Sequence, residues 1–531
     1  GSIDFSTGNT PRFSDGMVIS QFSGYGVFNF GQRAWAYTPP SGYKALCTQN
    51  LPDPPVEDPS KHFDTKLWTG NSSTQTISGY NFEPDLLFYK ARSGAYHWGV
   101  QDSVRGVGKY LSSNLSAAEH VETAGTNGVT AFTSDGFTLN GNGYYLVNYS
   151  GTTMAGWAWD AGSSNTSVAA GDLNTGSYNQ SQVWSNAWSG TAGYGSFANL
   201  HDANFTTNYV QASATLTINP SINSNKIRIY CYNHSSGGGQ YLKINGVDVT
   251  DQLEVGDYVW NEITGITAPI TSIELYSADY SSNLITVKAI EIDGKILVDQ
   301  GVTITNRPSI ATTYRANPTA GFSIVSWTGN ATQGETIAHG LNAPPELIIV
   351  KNRDSGSANW PVYHKGASSF NRLYFDAGVA SSSGTNWDSQ DPSSNIFYVG
   401  NNADTNGSSN AMIAYCFSSV EGYSKIGTYT GNATTPGPFV YLGFKPAFVL
   451  IKCASAGSGW NIIDNKRDEY NAAKALLFPN TSDAEYSGSP DRLDLLSNGF
   501  SILSGASNPN TAQTWVYAAF AENPFKTTRA R

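Results

Sequence analysis

Hydrophobic residues along this chain fall in short runs set between stretches of Gly, Ser, Thr and Asn. Three runs are continuous: Leu86-Leu87-Phe88-Tyr89, Leu347-Ile348-Ile349-Val350 and Phe448-Val449-Leu450-Ile451. A short apolar run bounded by turn signals predicts a strand covered on both faces. Just ahead of each stands a proline (Pro84, Pro345, Pro446), at the start of the strand, where a missing N–H is tolerated. Other segments, such as Met154-Ala155-Gly156-Trp157-Ala158-Trp159, alternate large and small residues, as opposed sheet layers require. A helical period is sustained nowhere, and only 112–120 and 470–477 leave room for short helices. These patterns predict an all-β protein built of tandem β-sandwich domains.

The strands recur in order. One copy opens with Leu67-Trp68-Thr69-Gly70-Asn71, a second with Ser326-Trp327-Thr328-Gly329-Asn330, a third with Thr428-Tyr429-Thr430-Gly431-Asn432. Each continues through the Pro-led apolar strand to a lysine (Lys90, Lys351, Lys452), then a strand around Trp98, Trp360 or Trp460. A Gly- or Asn-led strand follows, and each copy closes on an aromatic and Ala strand ending at Trp159, Phe417 or Phe520. Five landmarks in one order make an internal repeat. The second and third openings stand 102 residues apart and the first and second 259, so a further domain is interposed. The expected divisions are 1–60 (a partial segment and Pro-rich linker), 61–162 (first copy), 163–318 (insert), 319–421 (second copy) and 422–531 (third copy). Within the insert, strands are expected at 214–219, 226–232, 240–244, 272–277 and 286–292. Asn245-Gly246 and Asp293-Gly294 are expected as type I′ hairpin turns, and 163–174 and 303–318 as linkers.

Composition narrows the function classes. Only 13% of the 531 residues are charged and 13% are aromatic, which favours sheet. The net charge is −11 with no run of Lys or Arg, which argues against nucleic acid as a partner. No apolar run is long enough for a membrane-spanning helix, and the N-terminus has no signal-peptide layout. The Gly1-Ser2 start is that of a fragment, a processed form or a tagged chain. Cys47, Cys231, Cys416 and Cys453 lie far apart and are expected to be small buried hydrophobes rather than disulfides or zinc ligands.

Three resemblances follow from these residues. Segment 26–51, with Gly26-Val27-Phe28-Asn29-Phe30-Gly31, resembles the closing strands of SPRY or concanavalin-like domains of bacteriophage structural proteins. The three copies resemble a β-rich repeat of tail and virion proteins of marine phages. The likeness lies in the Trp-Thr-Gly-Asn opening, the Pro-apolar-Lys strand, and Asp102-Ser103-Val104-Arg105-Gly106 and Tyr110-Leu111-Ser112-Ser113-Asn114, segments from which the second and third copies depart. The insert resembles a galactose-binding-like, discoidin-type jelly roll in Asn199-Leu200-His201-Asp202-Ala203-Asn204 and in Lys288-Ala289-Ile290-Glu291-Ile292-Asp293-Gly294. In that family the two places meet around a structural calcium ion. Here Ala203 stands for the usual Gly and Ala289 for an acid.

Two candidate sites emerge. Asp202, Asn204, Thr207 and Glu291 offer the oxygen ligands a calcium ion takes; the competing reading is an Asx-turn. Trp184, Trp188, Tyr194 and Tyr209, in Gly- and Ser-rich stretches, offer flat rings for a sugar; the competing reading is ordinary core. For catalysis, Asp388/Asp391, Asp248/Asp251 and Glu291/Asp293 have the makings of an acid–base pair but read as solvated turn carboxylates, and no nucleophile or phosphate-loop motif occurs. The resemblances imply a non-catalytic virion adhesin, a tail fibre or a related fibre binding host-surface polysaccharide. It would contact other virion proteins, form a homo-oligomer (a trimer by analogy) and lack membrane insertion. A capsid or tail decoration protein without a receptor is the alternative, and a polysaccharide depolymerase spike a weaker one.

Overall fold

The Thr-Gly-Asn signal at the head of each copy is a turn with one construction. In the computed structural model the opening strands Phe63–Thr69, Phe322–Thr328 and Ser424–Thr430 each run into it. The Asn side chain (Asn71, Asn330, Asn432) accepts from the N–H two residues on, closing an Asx-turn. Its own N–H donates to a second, fully buried asparagine, Asn148, Asn406 or Asn510. Each of these donates in turn to the carbonyl of Ser73, Thr332 or Thr434. The glycine is required by space: a Cβ on Gly70, Gly329 or Gly431 would stand 2.3, 2.3 or 2.0 Å from a backbone oxygen.

Every copy then builds the same antiparallel sheet, in the order opening strand, closing strand, apolar strand, Trp strand. In the first copy these are Phe63–Thr69, Thr153–Trp159, Leu86–Ala91 and Gly99–Asp102. In the third they are Ser424–Thr430, Thr514–Pro524, Phe444–Cys453 and Asn461–Asp464. The second copy uses Phe322–Thr328, Ala411–Phe417, Leu347–Asn352 and Pro361–His364, and extends both edges to reach eight strands. Each sheet is faced by a smaller one, such as Gln75–Ile77, Gly136–Asn140 and Gly128–Thr133 in the first copy. The protein is all-β, as its hydrophobic pattern predicts.

The apolar strand is covered on both sides, and its alternate residues serve two cores. Leu87 and Tyr89 pack with Trp68 and Phe137 inside the first copy, whereas Leu86 and Phe88 join a core shared by all three copies. Ile348 and Val350 likewise face inward to the second copy, and Leu347 and Ile349 face the shared core. At its centre the three closing residues meet: ring centroids of Trp159 and Phe417 lie 6.0 Å apart, Trp159 and Phe520 5.5 Å, Phe417 and Phe520 5.7 Å. A wholly apolar cavity of about 50 Å³ lies among residues from all three copies.

Polar contacts between copies follow the same cycle. Trp98 Nε1 donates to the Phe478 and Thr481 carbonyls, Trp360 Nε1 to Leu115 and Trp460 Nε1 to Tyr374. The first copy thus reaches to the third, the second to the first, and the third to the second. Backbone bonds repeat the cycle: Glu119 N to Arg353 O, Ser381 N to Ala454 O and Glu485 N to Arg92 O, at 2.7–2.9 Å. The three sandwiches therefore close into a ring with approximate threefold symmetry inside one chain.

Two sequence expectations change here. The third copy does carry the Asp-x-x-Arg element: fully buried Asp464 and Arg467 pair at 2.5 Å, as Asp102 and Arg105 do at 2.6 Å. Neither 112–120 nor 470–477 is helical: the first holds a turn at 113–114 and leads into the strand His120–Val121, and the second holds bends and isolated bridges at Ala473, Leu476 and Leu477.

The insert pairs two five-stranded sheets across its own apolar core, a β-sandwich as expected. One sheet runs Tyr178–Asn179, Lys295–Leu297, Ile285–Ile292, Ile227–Asn233, Val259–Ile263, and the other Trp188–Tyr194, Gln211–Ile222, Ile270–Tyr276, Tyr241–Ile244, Val247–Asp248. Both I′ turns form, with φ of 52° and 80° at Asn245 and Gly246 and of 54° and 73° at Asp293 and Gly294. The expected linkers contain strands Asn165–Val168 and Thr312–Asn317, which pair with each other and extend the sheet of the second copy.

The structure describes residues 53–123, 126–142, 147–170, 178–203, 209–234, 239–277, 284–302, 308–367, 371–488, 492–505 and 508–524. The SPRY-like reading of 26–51 falls outside the described residues.

Candidate functional site

Strand alternation turns every second residue of the insert's first sheet away from its core. On Ile227–Asn233 the inward residues are Ile227, Ile229 and Cys231, which leaves Arg228, Tyr230 and Tyr232 on the outer face. Trp260 and Glu262 take the same face on the neighbouring edge strand Val259–Ile263, with Tyr258 just before it. The register sets Tyr230 opposite Trp260, with centroids 5.3 Å apart. Tyr258 lies 5.5 Å from Tyr232, 6.0 Å from Tyr230 and 6.4 Å from Tyr209. Tyr209 in turn stacks on Tyr194 at 4.8 Å and 16°. Six rings thus form one continuous, partly exposed band that runs from the outer face of this sheet to Tyr194, the last residue of an edge strand of the other sheet, which is 57% exposed.

Polar groups are set among the rings. The Lys288 ammonium lies 4.2 Å above the Tyr258 ring centroid, and the Arg228 guanidinium 5.0 Å above that of Trp260. Glu291, opposite Arg228 in the ladder, accepts from Arg228 Nε at 2.7 Å and from its Nη2 at 2.5 Å. That carboxylate holds Arg228 above the usual guanidinium range. Burial raises the Tyr258 phenol, which bonds Thr286 Oγ1 at 2.8 Å. The cations are matched by Glu291 and exposed Glu262, so the band carries both signs. Flat apolar ring faces edged by donors and acceptors suit a sugar, whose C–H face stacks while its hydroxyls bond at the rim.

The sequence candidates divide. Tyr194 and Tyr209 belong to the band. Trp184 and Trp188 do not: Trp184 is 2% exposed with Nε1 bonded to Asn179 O, and Trp188 is 9% exposed, stacked on Phe197 and bonded to His201. Their Gly/Ser-rich surroundings mask that each ring closes the end of the insert's core. Tyr230, Tyr232, Tyr258 and Trp260 escaped sequence reasoning; their signal was the alternation through 228–232 combined with an aromatic at every second place.

For calcium, Asn204 and Thr207 lie outside the described residues. Glu291 is committed to Arg228, and Asp202 follows a fully buried His201 held by the Leu297 carbonyl. Among the described residues no three His, Cys, Asp or Glu side chains converge as metal ligands. The acidic pairs also have partners: Asp248 accepts from Thr250, Asp388 from Gln333 and Asp391 from Tyr363. Cys231, Cys416 and Cys453 are free and buried, as expected. No described helix is long and apolar enough to cross a membrane.

A family model described as a domain of unknown function, DUF7483, matches residues 58–288 and 298–524. The chain belongs to that family. Comparison with curated proteins found no match, and comparison with solved structures found none. The match takes in the three copies and all six rings of the aromatic band, and leaves out 289–297 of the insert, with Glu291.

Proposed function

We propose that this DUF7483 chain is a non-catalytic carbohydrate-binding protein that uses the insert's aromatic band as its platform. The observation that carries the reading is the run of ring contacts from Tyr230, Tyr232, Tyr258 and Trp260, on the outer face of the first sheet, through Tyr209 to Tyr194 at the edge of the second. Such a row leaves ring faces in water that a flat, partly polar ligand would cover. The setting we propose is that of a virion adhesin on host-surface polysaccharide, which the phage-like repeats and segment 26–51 support by resemblance. The ring of three copies supplies a rigid body from which the insert projects its platform, and several chains on one particle would multiply a weak contact into avidity.

A carbohydrate array probed with the whole chain tests this reading. The wild type should retain a defined set of glycans, and a Tyr258→Ala/Trp260→Ala variant should lose them with its circular dichroism unchanged. Retention of the same glycans by the variant would refute the platform.

A further inference from the structure

Six rings in contact do not by themselves fix the size of what they hold; their order does. Rings gathered round a hollow enclose a single sugar, whereas these follow one another. From Trp260 the centroids step 5.3 Å to Tyr230, 6.0 Å on to Tyr258, 6.4 Å to Tyr209 and 4.8 Å to Tyr194. Trp260 lies on Val259–Ile263, an edge strand of the first sheet, and Tyr194 ends Trp188–Tyr194, an edge strand of the second. The run thus leads from one edge of the insert to another. One sugar covers one of these rings and at most part of the next, so the four successive steps are filled only by a chain of sugars.

The ring planes set the shape of that chain. Neighbouring rings along the run are inclined by 30°, 47° and 45°, and only the last pair comes within 16°. Rings that lie on a flat crystalline surface, such as packed cellulose, must share one plane. Inclined rings suit a single chain in solution, whose successive sugars turn relative to one another.

Charge narrows the ligand further. Arg228 and Lys288 stand over the rings of Trp260 and Tyr258, and the carboxylates of Glu291 and Glu262 act on Arg228, which gives the band two charges of each sign. With no surplus cation in the band and a net charge of −11 on the protein, a polyanion meets no net attraction here and is repelled at long range.

We infer that the band holds several consecutive sugars of one uncharged, soluble polysaccharide chain, laid lengthwise between Trp260 and Tyr194. The inference rests on the platform reading of the band and goes beyond it in the length, shape and charge of the ligand. Affinity then belongs to the chain of sugars and not to any one of them, since each added unit gains a ring until the run is filled.

The test is calorimetric titration of the whole protein with malto-, cello-, laminari- and manno-oligosaccharides of two to six units. In at least one series affinity should rise about tenfold or more from two units to five and then level, with the same values in molar sodium chloride. Tyr194→Ala/Tyr209→Ala shortens the run at its exposed end and should weaken the five-unit ligand about tenfold while leaving the two-unit ligand within about twofold. Equal affinity for two units and six, a shortened run that binds five units as the wild type does, or tighter binding of alginate or of crystalline cellulose than of every soluble neutral series would overturn the inference and leave the platform standing. No binding in any series would overturn it as well. Failure of the platform itself reads differently: Tyr258→Ala/Trp260→Ala would bind the same oligosaccharides undiminished.

Discussion

Each copy ends its apolar strand with a lysine whose side chain is fully buried: Lys90, Lys351 and Lys452. Their ammonium groups donate to main-chain carbonyls: Lys90 to Ala91 and Gly94, Lys351 to Ser116 and Ala358, Lys452 to Cys453. Burial lowers all three from the usual 10.5 to about 8. In the unfolded chain the same lysines keep their ordinary value. Between pH 8 and 10.5 the unfolded state therefore binds more protons than the folded one, and stability rises with pH across that window. From pH 7.5 to 9.5 the linkage amounts to about 2 kcal/mol for each lysine. Above pH 10 the trend reverses, since burial holds Tyr80, Tyr415 and Tyr423 protonated in the fold after they would ionise in the unfolded chain. The assay is urea denaturation at half-unit steps from pH 7.5 to 9.5, followed by fluorescence. The midpoint should climb, less steeply than the lysines alone would give because burial also raises the Cys231 and Cys416 thiols, and Lys452→Met should make the climb clearly shallower. A flat or falling midpoint would refute the reasoning, as would a Lys452→Met chain with the full wild-type slope.

Further outcomes follow from the same geometry. Asn406→Ala strands the Asn330 N–H and the Thr332 carbonyl inside the second copy and should cost about 2–4 kcal/mol in the same denaturation assay, far more than Asn330→Ala at the exposed end of the turn. Gly431→Ala drives a Cβ to 2.0 Å from Thr511 O and should destabilise by about 1–3 kcal/mol or prevent expression, whereas Gly246→Ala, with open space around it, should lose no more than its left-handed φ costs. On the acid side, burial lowers His339 and His364 to about 4, so unfolding takes up protons between pH 6.5 and 4 and stability falls as pH drops through that range. A His364→Gln chain should show a shallower fall.

The elements were legible because their signals are local. Pro84, Pro345 and Pro446, the apolar runs behind them and the Thr-Gly-Asn openings each mark a strand or turn by chemistry that needs no distant partner. The I′ turns at Asn245 and Asp293 are of the same kind. What the sequence could not display is which copy's loop meets which copy's tryptophan. Phe417 reads as a core residue, but nothing local says that its neighbours are Trp159 and Phe520 from other copies. The ring is therefore written in contacts hundreds of residues apart. The site was half legible for a related reason. Gly and Ser around Trp184 and Trp188 read as loop, yet each ring plugs a core end. Tyr230 and Tyr232 read as plain strand residues and Trp260 falls in no expected strand, until the register between 227–233 and 259–263 brings them side by side.

The most direct test of the central claim is peptide-level hydrogen exchange of the whole chain with and without a glycan retained on the array. The account predicts slowed exchange in 227–233 and 259–263, with the three Thr-Gly-Asn turns unchanged. Protection confined to the copies, or no protection anywhere at saturating glycan, would contradict it.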